Sequence, residues 1–198
     1  MGLIVKIDKK LNLVTNITRE DGSIVYLHVT PFPYEVVEEH CLLLGNLFTN
    51  FISQVGGLGS ARVAAMMLRK KLKREQELMD EANQQAPNIV DEIQRLTSVV
   101  WNDGGTWKTT SFDAAMKQGI ISPEEYREVE GEVVFFMVSS AIQKAHLIAP
   151  TVGSVIGMFG GQLVSLSVTA FRDSLQTSNP PIDTQTPSAQ QETSHIPS

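Results

Sequence analysis

The chain is poor in the residues that build covalent or metal-held sites. It has one cysteine, Cys41, in 198 residues, which excludes an internal disulfide framework and any multi-cysteine zinc or iron–sulfur site. Its four histidines, His28, His40, His146 and His195, are too scattered to form an obvious ligand set. Positive charge is also scarce: 16 Lys and Arg against 22 Asp and Glu leave a net charge of −6, which disfavours nucleic-acid binding through a general basic surface. Gly-x-Ser-x-Gly, His-Glu-x-x-His and Asp-x-Asp patterns are all missing. Without such a constellation the chain is expected to be no enzyme and to need no cofactor or metal.

The first ten residues lack a long apolar core with a small-residue cleavage site, so they do not read as a secretory signal. Lys6 stands where N-myristoylation wants Ser or Thr. With a single thiol as well, the expected address is cytoplasmic.

Charge is absent from residues 145–171, which raises the question of a membrane span. Within 147–171, however, 14 of 25 residues are apolar and the rest are Gly, Ser, Thr, Pro150 and Gln162. That is too dilute for a bilayer-crossing helix. Gly153, Gly157 and Gly161 recur every four residues, a spacing that lets helices approach closely. The segment is read as a buried or intersubunit helix, with these glycines as a candidate self-association surface.

What is present reads as a short β region followed by helices. Leu3–Ile7 is β-rich, Leu11–Ile17 alternates loosely, and Asp21-Gly22 supplies a tight turn before the strand-like Ile24–Val29. Pro31 and Pro33 close this unit. From Tyr34, apolar residues recur at helical steps through Val36, Val37, Cys41, Leu44, Leu47, Phe48, Phe51 and Ile52. This spacing puts Cys41 on the apolar stripe and His40 off it. Gly56-Gly57-Leu58-Gly59 ends the helix, and Ser60 caps a second one through about Met79. The glycines are no phosphate loop, because a helix precedes them and no lysine stands at the required place.

Further on, Ile89–Val100 reads as a short amphipathic helix closed by Asn102-Asp103-Gly104-Gly105, and Trp107–Ser111 as extended chain. A short helix follows from Ser111 to Gly119. Ser122-Pro123-Glu124-Glu125 is the clearest helix start in the chain. It opens a helix with Tyr126, Val129, Val133, Phe136 and Met137 on one buried face. Gln176–Ser198 carries four prolines and only two charges, and reads as a flexible tail. The expected fold is mainly α within the α+β class: a small antiparallel β unit over residues 1–30, a helical domain over 31–175 and a disordered tail over 176–198.

The helix from Ser60 divides lengthwise. Val63, Ala64, Met67, Leu68 and Leu72 make an apolar stripe, while Arg62, Arg69, Lys70, Lys71, Lys73 and Arg74 hold six of the sixteen positive charges. Arg69, Lys70, Lys73 and Arg74, with Met66 and Met67, are the candidate partner-binding residues, an acidic patch on another protein being favoured over nucleic acid. Glu124, Glu125, Glu128, Glu130 and Glu132 have no patterned histidine partner and read as a solvated helix face.

Several stretches together are more telling than any single motif. They are Ile93–Val100, Trp107, the run Ala114–Glu125, then Glu130–Phe136, and Ser165–Leu175 before a Ser/Thr/Pro tail. Over roughly residues 25–198 the chain resembles the tail assembly chaperones of long-tailed bacteriophages. The resemblance implies a non-enzymatic protein that coats the tape-measure protein, keeps its apolar helical segments soluble and recruits tail-tube subunits. Such proteins leave before the virion is complete, and a programmed frameshift often extends a minority of copies. A homo-oligomer in the host cytoplasm is expected, binding neither nucleic acid nor membrane.

Met66, Met67, Met79, Met116, Met137 and Met158 lie in helical segments and would give such a protein adaptable apolar surface, though core filling is the commoner use of methionine. Two other readings are a head–tail connector or tail terminator retained in the particle, and a membrane-active helical hairpin over residues 131–171.

Overall fold

The computed structural model describes residues 10–55, 60–81 and 88–177. Leu3–Ile7, Gly56–Gly59 and the tail from Ser178 onward lie outside the described residues. The chain is mainly helical around one antiparallel sheet, the class its sequence implies. β1 (Asn12–Thr18) and β2 (Ile24–Val29) form the expected hairpin. Its turn is tied by the Gly22 N–H donating to the Arg19 carbonyl and the Arg19 N–H to the Ser23 carbonyl, both at 3.0 Å.

Four helices follow: α1 (Tyr34–Glu39), α2 (Cys41–Val55), α3 (Ser60–Glu81) and α4 (Ile89–Arg95). The single helix expected from Tyr34 is broken at His40, which caps α1 with φ −104° and ψ 15°. His40 lies four residues from Val36 and from Leu44, which are both buried, so it falls on their face. His40 is buried and Cys41 exposed, the reverse of the expectation.

A larger correction concerns the segment after α4. The helix stops at Arg95, and Thr97–Asp103 is a strand, β3, paired antiparallel with β2 from Val25↔Trp101 to Val29↔Thr97. Helical spacing over so short an apolar run does not separate a helix from a buried strand, and here Thr97, Val99 and Val100 are β-branched. Asn102–Gly105 is then a hairpin turn leading to β4 (Thr106–Ser111). Gly104 and Gly105 take φ of +60° and +90°, the two successive positive values that a two-residue hairpin of matching twist needs.

The remaining elements are α5 (Phe112–Lys117), α6 (Pro123–Ile142), α7 (Ala145–Gly157), β5 (Gln162–Val164) and α8 (Val168–Thr177). The sheet order is β4-β3-β2-β1-β5, so the sheet recruits three of its strands from beyond residue 96 and is not confined to residues 1–30. Leu13, Ile17, Val25, Leu27 and Val99 point from one face into a core shared with α2, α3, α6 and α7. The opposite face carries Val14, Tyr26, Val100 and Trp107 beneath Phe171 of α8, with Tyr26 and Phe171 edge to face at 5.4 Å.

α6 is the central helix. Ser122 and Glu125 form a complete capping box with Pro123 in the first turn, as its sequence signal implies. One buried face was expected, yet every residue from Glu132 to Ser139 is buried. A helix apolar on all sides must be covered on all sides, and α6 runs between β1 on one side and α2 and α3 on the other.

No helix among the described residues is long and apolar enough to cross a membrane. α7 ends at Gly157, and the Gly161 N–H donates back to the Ile156 carbonyl at 3.2 Å to close the helix end. Gly161 therefore lies beyond α7, and the stripe of three glycines on one helix is not formed.

Candidate functional site

The site grows out of the contact between α3 and α6. A Cβ placed on Gly131 would lie 2.3 Å from the carbonyl oxygen of Ala61. The two backbones touch there, and only glycine permits it. Beside the contact opens a cleft of about 490 Å³, walled by Ala61, Arg62, Ala65, Met66 and Arg69 of α3 and by Arg127, Glu128, Gly131 and Glu132 of α6. Phe159, just past α7, adds a partly exposed aromatic ring to the lining.

Glu132 forms the buried part of this wall. It is 7% exposed, and its Oε2 accepts a hydrogen bond from the Thr15 hydroxyl of β1 at 2.8 Å. Burial pushes its carboxyl up to about 7, against the opposing effect of the Thr15 hydrogen bond. A carboxylate removed from water without a cation beside it prefers to hold its proton. Gly161 leaves the space it occupies, since a Cβ there would stand 3.0 Å from Oε2 of Glu132 and 2.6 Å from Cγ2 of Ile156.

The five glutamates of α6 thus do not form the solvated face expected of them. Glu125 closes the capping box and meets Arg19, whose Nε lies 2.6 Å from its Oε1. The Arg19 hydrogen bond outweighs burial and holds the Glu125 carboxyl below its ordinary range. Glu130 pairs with Arg69, and Glu132 is buried. Glu124 and Glu128 are exposed as expected.

The candidate partner-binding residues of α3 are split between its two flanks. Met66, more than half exposed, and Arg69 face the α6 cleft. Met67, Lys70 and Arg74 line a second hollow of about 300 Å³ with Lys71 and with Asn50 of α2. Lys73 is exposed and lines neither. Successive residues on a helix point about 100° apart, so the adjacent Met66 and Met67 necessarily serve different sides.

Of the proposed self-association glycines, Gly153 packs toward Leu163 of β5 and Gly161 toward Glu132 and Ile156, while Gly157 faces open space.

Residue types alone did not single out Glu132, Arg127 or Phe159. The available signal was Gly131. A glycine inside a helix costs about 1 kcal/mol relative to alanine, which points to a close backbone approach at that position. Among the described residues, Arg62 and Arg127 make no ion pair, and no group of three His, Cys, Asp or Glu could hold a metal ion. The cleft offers guanidinium groups, one protonatable carboxyl and apolar surface, an arrangement suited to gripping a polar group with an apolar neighbour.

On the far face of the sheet His28 is also buried, with Nε2 2.9 Å from the Leu166 carbonyl. Burial lowers its tendency to protonate, and the carbonyl only partly offsets this. The Asn12 amide donates to the same carbonyl at 2.9 Å, so this cluster fastens the segment between β5 and α8 to the sheet. The chain matches no protein-family model, no curated protein and no solved structure.

Proposed function

We propose that the protein is a non-enzymatic tail assembly chaperone of a long-tailed bacteriophage, which binds the tape-measure protein and helps recruit tail-tube subunits. The observation that carries this reading is the cleft between α3 and α6, where the exposed Met66 and Phe159 stand beside Arg62 and Arg127. Methionine adapts its shape to different apolar partners. Amphipathic helices present apolar groups at steps of three and four residues, with charged groups between them.

Further apolar surface is exposed at Leu42, Ile52, Leu147 and Met158, as a protein that covers a long client in many copies requires. In this reading it works as a homo-oligomer in the host cytoplasm and leaves before the particle is finished.

Co-expression with the tape-measure protein of the same gene cluster tests the proposal. The client's soluble fraction rises and the two proteins co-purify. Unchanged solubility with no co-purification contradicts the proposal. Mass spectrometry of purified virions adds a second test, because a chaperone is missing from them, whereas a connector or tail terminator is present in fixed copy number.

A further inference from the structure

The cleft has a charge pattern that narrows what it can hold. α3 brings Arg62 and Arg69 to it, and α6 brings Arg127, Glu128 and Glu132. Arg69 is engaged by Glu130, which leaves Arg62 and Arg127 facing the single exposed carboxylate of Glu128. Two guanidinium groups, free among the described residues, against one exposed carboxylate make the cleft locally positive on a chain that carries −6 overall. Its walls are otherwise apolar, from Ala61, Ala65, Met66 and Phe159. A volume of about 490 Å³ takes a few side chains and not a whole helix.

We propose that the cleft between α3 and α6 is a receptor for an acidic side chain on a partner's amphipathic helix, held by Arg62 and Arg127 while neighbouring apolar side chains rest on Met66 and Phe159. The inference deepens the function proposed above by naming where the partner is held and by what chemistry. Guanidinium groups match a carboxylate in shape and charge. In its acid form Glu132 adds a hydrogen-bond donor at the inner wall, and its Oε2 already accepts from Thr15.

An ionised Glu132 would repel the incoming carboxylate, so binding and protonation of Glu132 are linked. The charged groups that line the cleft along with Glu132 are Arg62 and Arg69 from α3 and Arg127 and Glu128 from α6, and among the described residues none makes an ion pair with it. β1 contributes the uncharged Thr15, and the segment after α7 contributes Phe159 and Gly161. A phosphate group suits this site less well, because its second negative charge would face Glu128 and its surroundings would be apolar.

The test uses the full chain and a labelled synthetic helical peptide of about 20 residues, long enough to be helical in isolation. The peptide carries Leu and Met along one stripe and one central Glu, and its counterparts carry Gln or Lys there. Anisotropy titrations at pH 6 and pH 8 give the affinities, with inorganic phosphate as competitor.

The Glu peptide binds about tenfold more tightly than the Gln peptide at pH 6, a difference set by one charge-assisted contact, and more weakly at pH 8. The double variant Arg62→Gln/Arg127→Gln, whose exposed side chains leave thermal stability unchanged, binds Glu and Gln peptides alike. Glu132→Gln, which cannot ionise, binds the Glu peptide with the same affinity at pH 6 and pH 8. Equal binding of the Glu and Gln peptides, no binding of either, or full competition by phosphate overturns the inference.

The two readings fail separately. If the double variant still retains the tape-measure protein on co-expression, the cleft inference fails and the chaperone reading stands. If the wild-type chain binds the Glu peptide but retains no client, the chaperone reading fails and the cleft inference stands.

Discussion

The two flanks of α3 are built from the same kinds of residue and differ in what lies beneath them. Toward α6, Arg62, Met66 and Arg69 stand over a backbone-to-backbone contact at Gly131 and a buried carboxyl at Glu132. Toward α2, Met67, Lys70, Lys71 and Arg74 border a smaller hollow with Asn50. Basic and methionine side chains are common on surface helices. A cleft with a buried titratable wall and a helix pair locked by glycine is not. The difference teaches that residue type marks a helix as a candidate, and the element packed beneath it decides which side can act.

The strongest way to break the comparison is to place one methyl group on each flank. Gly131→Ala drives Cβ into the Ala61 carbonyl, 2.3 Å away, and backbone cannot step aside as a side chain can. The expected loss is about 3 kcal/mol, read as a drop in melting temperature of roughly 6–12 °C. Gly45→Ala on α2 meets nothing within 4 Å and is expected to be neutral or to stabilise by about 0.5 kcal/mol. Equal effects at the two sites would mean that α3 and α6 do not touch.

The next effect comes from Glu132. Its folded carboxyl titrates near 7 against an ordinary 4.5, so between these values the folded state holds a proton that the unfolded state has released. Stability from this group is present below pH 4.5 and lost as pH rises through 7, by on the order of 2–3 kcal/mol. Urea unfolding of wild type and Glu132→Gln from pH 4.5 to 8 isolates it. The difference between the two is expected to change steadily in favour of the Gln variant as pH rises. A pH-independent difference would place Glu132 in water.

A smaller effect is expected at Arg19, whose Nε and Nη2 both reach Glu125. Arg19→Ala costs about 1 kcal/mol near neutral pH, in the range for a partly exposed pair. Because Arg19 lowers the Glu125 carboxyl, its contribution is present above pH 4.5 and fades as the pH falls further. A thermal melt series from pH 7 to pH 3 checks the direction.

The smallest effect belongs to the α2 flank, where Lys70→Gln, Lys71→Gln and Arg74→Gln together stay within about 0.5 kcal/mol of wild type per site. They also reduce client retention less than Arg62→Gln/Arg127→Gln does, as measured by co-purification.

How much of this was legible varied with how local the signal was. The helix start at Ser122-Pro123-Glu124-Glu125 and the Asp21-Gly22 turn depend on neighbours within four residues, and both stand as read. Thr97–Asp103 did not, because its place in the sheet comes from pairing with Ile24–Val29, some seventy positions earlier. The Asn102–Gly105 turn carried the hairpin signal and was read as a helix end because the strand before it was missed. His40, not Cys41, shares the buried face of Val36 and Leu44, a choice between two neighbouring helical rows that the apolar spacing left open. At the candidate site, the basic face of α3 was visible in the sequence. Glu132 was not, since its burial depends on Thr15 and Gly161, which come from distant parts of the chain.

The most direct test of the account is amide hydrogen exchange, read by mass spectrometry, on the full chain alone and with the co-expressed tape-measure protein. The account predicts new protection concentrated in residues 61–69 of α3 and 127–132 of α6, with little change along 45–52 of α2 and 168–177 of α8. Protection confined to α2 or α8, with α3 and α6 exchanging as in the free protein, would contradict it.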